Sequence, residues 1–255
     1  MKKSVTPSTS DTLSPAIDEA ALADLSGDSA VATTGQSRGP SLATLGQVSG
    51  DIDSKDLIIP RMEIVQKVGP LSLNTELDFG SLVLNKSTVL APLEVTVSIT
   101  VLTCVKSFEE VLPYDPTGKG PRARTFDHLK DLIAAGLWVD WRNDQKPPAR
   151  EVGNLLVLIK KPDGIESPAF HMDVEGSRCA IASWTVRSTA YGRVAKKVFS
   201  AAAVELADAG LLAGIWDLHI EPHQSGGNLV GAPVLKLVGE HTPEVVADIT
   251  ARLTR

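Results

Sequence analysis

The chain has 255 residues, an apolar fraction of 43% and a formal net charge of −6 at pH 7. This length allows one large domain or two small ones, and the apolar fraction allows a sizeable buried core. No stretch approaches the roughly 20 apolar residues that a membrane-spanning helix needs, and the polar residues after Lys2 and Lys3 argue against a signal peptide. We therefore expect a soluble, cytoplasmic protein that does not contact a membrane.

Residues 1–54 form a segment of distinct composition. They are rich in Ser, Thr, Ala, Gly and Asp, and residues 1–50 contain no aromatic side chain. Such a segment cannot bury enough apolar surface to offset the entropy of ordering. We therefore expect a disordered, polar and acidic tail over 1–54 and a single domain over 55–255. Ser14 and Pro15 could start a short helix in this tail, which leaves a docking role open.

Strand patterns dominate the first part of the expected domain. Apolar and polar residues alternate over 93–102 and many are β-branched, which predicts the clearest strand, with an extension towards Phe108. Residues 154–159 are apolar on both faces, as is typical of a central strand. Shorter strands are predicted at 80–84, 138–141, 169–174 and 179–184.

Turn and helix signals connect these strands. Residues 113–124 contain several Gly and Pro residues and predict a loop. Thr125 is a suitable N-cap for a short helix that Gly136 would end. The Lys161-Pro162-Asp163-Gly164 turn predicts a hairpin that joins the central strand to the 169–174 strand.

The last part of the chain combines a long helix with a final hairpin. Apolar residues recur at helical spacing over 188–209 and predict the longest helix. Strands at 214–221 and 233–238 follow, joined by a Gly-rich tip, and Thr242 begins a C-terminal helix. This order of short strands and few helices predicts an α+β fold with mainly antiparallel pairing. A small barrel of the oligonucleotide-binding (OB) type, with one long late helix, fits the order.

No residue pattern indicates a catalytic centre or a cofactor. The glycines beside Lys119 lack the spacing of a phosphate-binding loop. Cys104 and Cys179 lie among apolar residues, as buried structural cysteines do, although a disulfide is the alternative. His171 and Asp173 alternate on a strand and leave open a metal-dependent nuclease, but they are fewer ligands than a closed zinc site needs. We expect a non-catalytic protein without metal or cofactor.

Basic and aromatic side chains form the most informative pattern. Residues 176–204 include no acidic residue but several basic ones, and the 113–124 loop combines cations with neighbouring aromatic residues. Proteins that bind single strands need cations to neutralise phosphates and aromatic faces on which bases stack. An ordinary solvated surface is the alternative interpretation. The cations expected to follow the nucleic-acid backbone are Lys119, Arg122, Arg124, Arg142, Arg187, Arg193, Lys196 and Lys197. The side chains expected to stack are Tyr114, Trp141, Trp184 and Tyr191.

Two segments resemble a known group of proteins. Residues 56–66 read Asp-Leu-Ile-Ile-Pro-Arg-Met-Glu-Ile-Val-Gln, and residues 188–197 form a Ser-initiated helix that ends in Lys-Lys. Both are similar to segments of tailed-bacteriophage replication-associated proteins, some of which are described as single-stranded DNA-binding proteins. The resemblance implies an OB-like fold, single-stranded DNA as ligand and a role in phage-type DNA replication or recombination in the host cytoplasm. It also implies replication or recombination proteins as partners, and leaves homo-oligomerisation open.

The C-terminus departs from this resemblance. Single-strand binders of phages and bacteria often end in an acidic tail that recruits partners, whereas residues 251–255 are not acidic. The acidic segment of this chain is N-terminal instead. The alternative function is therefore a virion-assembly or host-interaction protein that docks through its N-terminal segment.

Overall fold

The computed structural model describes residues 59–68, 70–113, 120–225 and 227–253. The expected tail and the candidate residues Tyr114 and Lys119 lie outside these ranges. No helix within the described ranges is both long and apolar enough to cross a membrane.

The described residues fold mainly into antiparallel strands with few helices, which confirms the expected α+β class. The strands are β1 (Met62–Ile64), β2 (Leu82–Leu84), β3 (Thr88–Ala91), β4 (Val97–Glu110), β5 (Thr125–Phe126), β6 (Ala149–Lys160), β7 (Met172–Val174), β8 (Ser177–Arg187), β9 (Gly214–Ser225) and β10 (Asn228–Glu240). The helices are α1 (Leu129–Ala134), α2 (Lys196–Ala203) and α3 (Pro243–Leu253). Short 3-10 turns lie at Pro70–Leu73 and Leu211–Ala213, and a π-helical turn at Tyr191–Ala195 precedes α2.

The larger sheet has the strand order β10-β9-β4-β6-β8-β7, with β5 added to β4. All of its ladders are antiparallel. The 154–159 segment lies in β6, between β4 and β8. Residues 155–159 are apolar and buried on both faces of the sheet, whereas Asn154 is polar and partly exposed. Among the described strands the sheet is open, since no ladder joins β10 to β7 or β8.

The smaller sheet, in the order β1-β2-β3, lies beside this opening. On one side, Arg61 forms an isolated parallel bridge with Ser183 of β8. On the other side, the Gln66 amide donates to the Gly231 carbonyl and accepts from the Gly231 N–H, both at 2.9 Å. The start of the smaller sheet therefore contacts both β8 and the outer edge of β10.

The main core lies between the two sheets and the late helix. Leu155, Val157 and Ile159 of β6 point into it, as do Trp216 of β9 and Leu82 of β2. A fully buried aliphatic side chain of this kind stabilises the fold by roughly 1.5–3 kcal/mol. The three layers are thus held by one continuous set of apolar contacts.

The late helix is shorter than the expected 188–209 segment. The helical turns run from the π-helical turn through α2, and the chain leaves helical geometry at Val204, whose φ is −122°. Val204 is exposed, whereas Leu206 is fully buried in the main core. Unwinding after Ala203 lets Leu206 reach that core.

The opposite face of the larger sheet is only partly covered. Val245 and Ile249 of α3 pack with Leu156 and Leu158 of β6 in a second apolar cluster. This cluster covers the C-terminal half of β6 and leaves its N-terminal half, towards Ala149, outside the cluster.

Two local predictions are wrong. Residues 138–141 form no strand and bend at Val139 and Asp140, because the chain turns back at Asn143 and Asp144, both of which have positive φ. Thr125 lies in β5 and does not cap α1, which begins after His128.

The predicted hairpin also has a different partner. After the turn at Asp163 and Gly164 the chain crosses without pairing to β6, and β7 instead pairs with β8. The tight turn of that hairpin is Glu175-Gly176, where both residues have positive φ, as a two-residue turn of this type requires.

Both cysteine thiols are free. Cys104 points with Leu155 towards the main core, whereas Cys179 belongs to the cluster under α3. Burial raises the pKa of Cys104 to about 12. Both cysteines therefore act as small apolar side chains.

Candidate nucleic-acid interface

The half of the larger sheet that lies outside the α3 cluster carries a patch of polar side chains, which we call the sheet face. It lies on the side of the sheet opposite the main core, because its residues alternate with inward-pointing ones such as Leu155 and Trp184. The sheet face consists of Ser107 and Glu109 of β4, Arg150 and Asn154 of β6, and Thr185 and Arg187 of β8. Val152, which points to the same side between Arg150 and Asn154, is only 3% exposed beneath this polar layer.

Glu109 joins two arginines across three strands. Its Oε2 atom accepts hydrogen bonds from Arg150 Nε (2.9 Å) and Nη2 (2.8 Å) and from Arg187 Nε (2.7 Å). Its Oε1 atom accepts from Arg187 Nη2 at 3.2 Å. Two arginines and one carboxylate leave the group with one net positive charge.

The pKa of Glu109 fits this geometry. Burial by itself raises the pKa of the carboxyl group, but the hydrogen bonds and charges of Arg187 and Arg150 outweigh burial and hold it below its ordinary value. Glu109 is therefore ionised at neutral pH, and the two guanidinium groups are held by charge-assisted bonds.

A second polar row crosses the sheet face beside this group. The Asn154 amide donates to Ser107 Oγ at 2.8 Å and its oxygen accepts from Thr185 Oγ at 3.2 Å. Val105, directly opposite Asn154 in the ladder, is 46% exposed. The row thus offers amide, hydroxyl and small apolar surfaces next to the arginines.

The connection between β4 and β6 carries several of the predicted cations. Arg124 is bound to Glu110 through Nε (2.9 Å) and Nη2 (3.1 Å), and its charge is cancelled there. The Arg142 guanidinium lies 5.5 Å from the Trp138 ring centre. Arg122 is exposed, and Trp141 is 69% exposed, unusually high for an indole.

The cations of the late helix face a different part of the molecule. Arg193 lies 3.3 Å from His223 Nδ1 and 3.9 Å from Glu221 Oε2, both on β9. Lys197 donates to the Leu235 carbonyl on β10, and Lys196 lies over the Tyr191 ring. With Lys236 of β10, these two lysines line a shallow cleft between α2 and β10.

Two predicted stacking residues are corrected. Trp184 and Tyr191 are only 3% and 5% exposed, because Trp184 points inward from β8 and Tyr191 lies on the buried side of the π-helical turn. Neither ring offers a face to a base. Of the predicted aromatic residues within the described ranges, Trp141 alone is exposed.

Sequence reasoning missed Glu109 and Arg150. Glu109 is one of two adjacent glutamates without a motif around them, and Arg150 lies outside both basic segments. Strand register brings them together with Arg187, since Glu109 pairs with Arg150 and Val152 pairs with Arg187. Only the pairing of distant strands could have revealed the group.

The nuclease alternative gains no support from the described residues. The His171 ring bonds to the Ala169 carbonyl, and Asp173 accepts from the Gly176 N–H in its own hairpin. No group of three or more His, Cys, Asp or Glu side chains within the described ranges could hold a metal ion.

Comparison with known proteins identifies no relative: no family model, no curated protein and no solved structure matches this chain.

Proposed function

We propose that this protein is a non-catalytic single-stranded DNA-binding protein of phage-type replication or recombination, and that the strand lies across the sheet face. The observation that carries the proposal is the polar layer of the sheet face, in which two partly exposed arginines are held side by side beside a polar row. Trp141 is exposed and lies in the connection between β4 and β6, two of the strands that form the sheet face. Cations for phosphates and a ring for a base are the groups that single-strand binding uses.

The strand order supports an OB-like interpretation of the fold. Taken alone, β4, β6, β8, β9 and β10 form five strands in which β4 lies between β6 and β9, and the late helix connects β8 to β9. An OB barrel has this arrangement and is often partly open. The contacts of Arg61 with Ser183 and of Gln66 with Gly231 occupy the position where such a barrel would close.

This interpretation also assigns a place for the strand. OB folds bind oligonucleotides on the face of their second and third strands, flanked by the loops between strands one and two and between strands four and five. Here those parts are the face of β6 and β8, the described residues 111–113 and 120–148 between β4 and β6, and Ser225, Gly227 and Asn228 at the end of the β9–β10 hairpin. Arg193 of the late helix lies beside His223 and Glu221 of this hairpin.

The proposal is tested by titrating a fluorescently labelled oligo-dT with the protein and following its anisotropy at low and moderate salt, with duplex DNA of the same length as control. We expect binding to the single strand that weakens steeply as salt rises, because phosphate contacts release counterions. We also expect weaker binding to the duplex, whose bases cannot stack on Trp141. Absence of single-strand binding at low salt would contradict the proposal.

Docking through the N-terminal segment concerns residues outside the described ranges. Deletion of residues 1–50 distinguishes docking through this segment from the proposed DNA binding. DNA binding through the sheet face should survive the deletion, whereas a partner contact through the segment should be lost.

A further inference from the structure

We infer that Glu109 converts Arg150 and Arg187 into a preformed subsite for one phosphodiester group of the DNA strand. The inference rests on the proposed function and goes beyond it by naming the contacted group and a positioning residue. Glu109 acts through the two arginines and does not itself touch the ligand.

The order of burial supports this arrangement. The side chain of Glu109 is 14% exposed, whereas those of Arg150 and Arg187 are 38% and 43% exposed. The carboxylate is thus the inner member of the group and the guanidinium groups are the outer members. An anion that approaches from solvent meets the arginines first.

The donor geometry leaves room for such an anion. Each arginine uses Nε and one Nη2 hydrogen for Glu109, so the remaining N–H groups, including both on Nη1, stay available. No acceptor among the described residues bonds to Nη1 of either arginine. Arginine binds phosphate oxygens through paired N–H donors of this kind.

Preorganisation is the physical gain from Glu109. A free arginine side chain samples many rotamers and loses that freedom when it binds a phosphate. Glu109 holds both side chains in place before the strand arrives. Glu109 neutralises only one of the two arginines, so the group keeps one positive charge. In the Arg124–Glu110 pair, by contrast, one arginine and one carboxylate cancel each other.

The test compares oligo-dT affinity at several salt concentrations for the wild type, E109Q, R150Q/R187Q and the triple variant E109Q/R150Q/R187Q. We expect R150Q/R187Q to bind about tenfold or more weakly, with a salt slope reduced by about 0.7, the value for one contact to single-stranded nucleic acid. We expect E109Q to bind about three- to tenfold more weakly, although it adds positive charge, with no reduction of the slope. The triple variant E109Q/R150Q/R187Q should bind oligo-dT with the same affinity as R150Q/R187Q, because Glu109 acts only through the two arginines.

The matched control is D248N, which breaks a single exposed Arg–Asp pair with Arg252 on α3 and should leave affinity unchanged. Thermal melts of all variants report whether the domain stays folded. Unchanged or tighter binding by E109Q, or an equal loss in the background without the arginines, would overturn the role of Glu109 while the proposed function stands. Absence of wild-type binding at low salt would overturn both.

Discussion

Trp141 is the residue on which the stacking part of the proposal depends. Its side chain is exposed, whereas Trp184 and Trp216 are buried in the main core and Trp138 is covered by Arg142. We expect W141A to weaken oligo-dT binding by about 1–3 kcal/mol, the usual contribution of one stacked base. Anisotropy titration measures this loss.

The control for this variant is L73A, since Leu73 is also exposed and apolar but lies in the 3-10 turn after β1. It should bind DNA as the wild type does. Intrinsic fluorescence gives an independent readout, because oligo-dT should quench the wild-type emission and quench W141A much less. Equal quenching in both proteins would exclude Trp141 from the site.

His241 makes stability depend on pH. Its Nε2 atom lies 2.8 Å from Thr100 Oγ, and burial lowers its pKa below the ordinary value of 6.5, against a weaker opposing effect of Glu175. The unfolded chain therefore takes up a proton below about pH 6.5 that the folded domain resists. Stability is fully present above that pH and is lost as pH falls towards the lower pKa of the folded state.

We expect the wild type to show a lower urea midpoint at about pH 5.5 than at about pH 7.5, and H241Q to show a smaller difference between the two. The carboxyl groups of Glu109 and Glu110 have pKa values below 4.5 and do not contribute in this window. H128Q, at an exposed histidine, should keep the wild-type difference. The same pH dependence in H241Q and the wild type would rule out His241 as its source.

At the scale of elements, the outer edge of β10 requires explanation because an unpaired edge can recruit other chains. Three features protect this edge of β10. The Gln66 amide bonds to the Gly231 backbone, and the Lys197 amine donates to the Leu235 carbonyl. Pro233 has no N–H to donate to another strand. The Gln66 amide thereby makes the two hydrogen bonds that the backbone of a neighbouring strand would make to Gly231.

We expect Q66A to destabilise the domain by about 1–3 kcal/mol, because the backbone N–H and C=O of buried Gly231 lose their partner. Urea denaturation measures the change. Q145A, at an exposed glutamine, should change stability by less than about 0.5 kcal/mol. A loss for Q66A no larger than for Q145A would mean that solvent replaces the amide at no cost.

Close packing of the late helix on β6 depends on a glycine. A Cβ atom added at Gly153 would lie 2.6 Å from Ala195 Cβ and 2.9 Å from Val186 Cγ2. We expect G153A to cost about 1–3 kcal/mol by overpacking. G192A is the control, since nothing lies within 4 Å of a Cβ there, and it should be neutral or slightly stabilising in a thermal melt. Equal melting temperatures for the two variants would contradict the close contact.

Elements with strong local patterns could be predicted and the others could not. Periodicity and capping predict the apolar 154–159 segment and a C-terminal helix that begins at Thr242, and both are present, in β6 and α3. The partner of β7 depends on a turn at Glu175-Gly176 that competes with the stronger signal at Pro162-Asp163-Gly164. The early end of α2 depends on the tertiary position of Leu206 in the main core. No local sequence pattern encodes that position.

In the folded molecule, the predicted cations of the 176–204 run separate into two groups. Arg187 lies on the sheet face with Arg150, whereas Lys196 and Lys197 lie at the cleft between α2 and β10. The sequence shows one basic run because these residues follow each other closely along the chain. The turn at Ser188, whose φ is +51°, separates β8 from the late helix. The sequence could therefore predict which residue types lie in this part of the chain, but not which surface each cation occupies.

The most direct test of the account compares two variants that each remove two positive charges. R150Q/R187Q changes the sheet face, and K196Q/K236Q changes two exposed lysines of the cleft between α2 and β10. The measurement is oligo-dT affinity by anisotropy at one low salt concentration. We expect R150Q/R187Q to lose about tenfold or more in affinity and K196Q/K236Q to lose much less. Equal losses would mean that binding follows total charge, and a larger loss for K196Q/K236Q would place the strand at the cleft; either result would contradict a site on the sheet face.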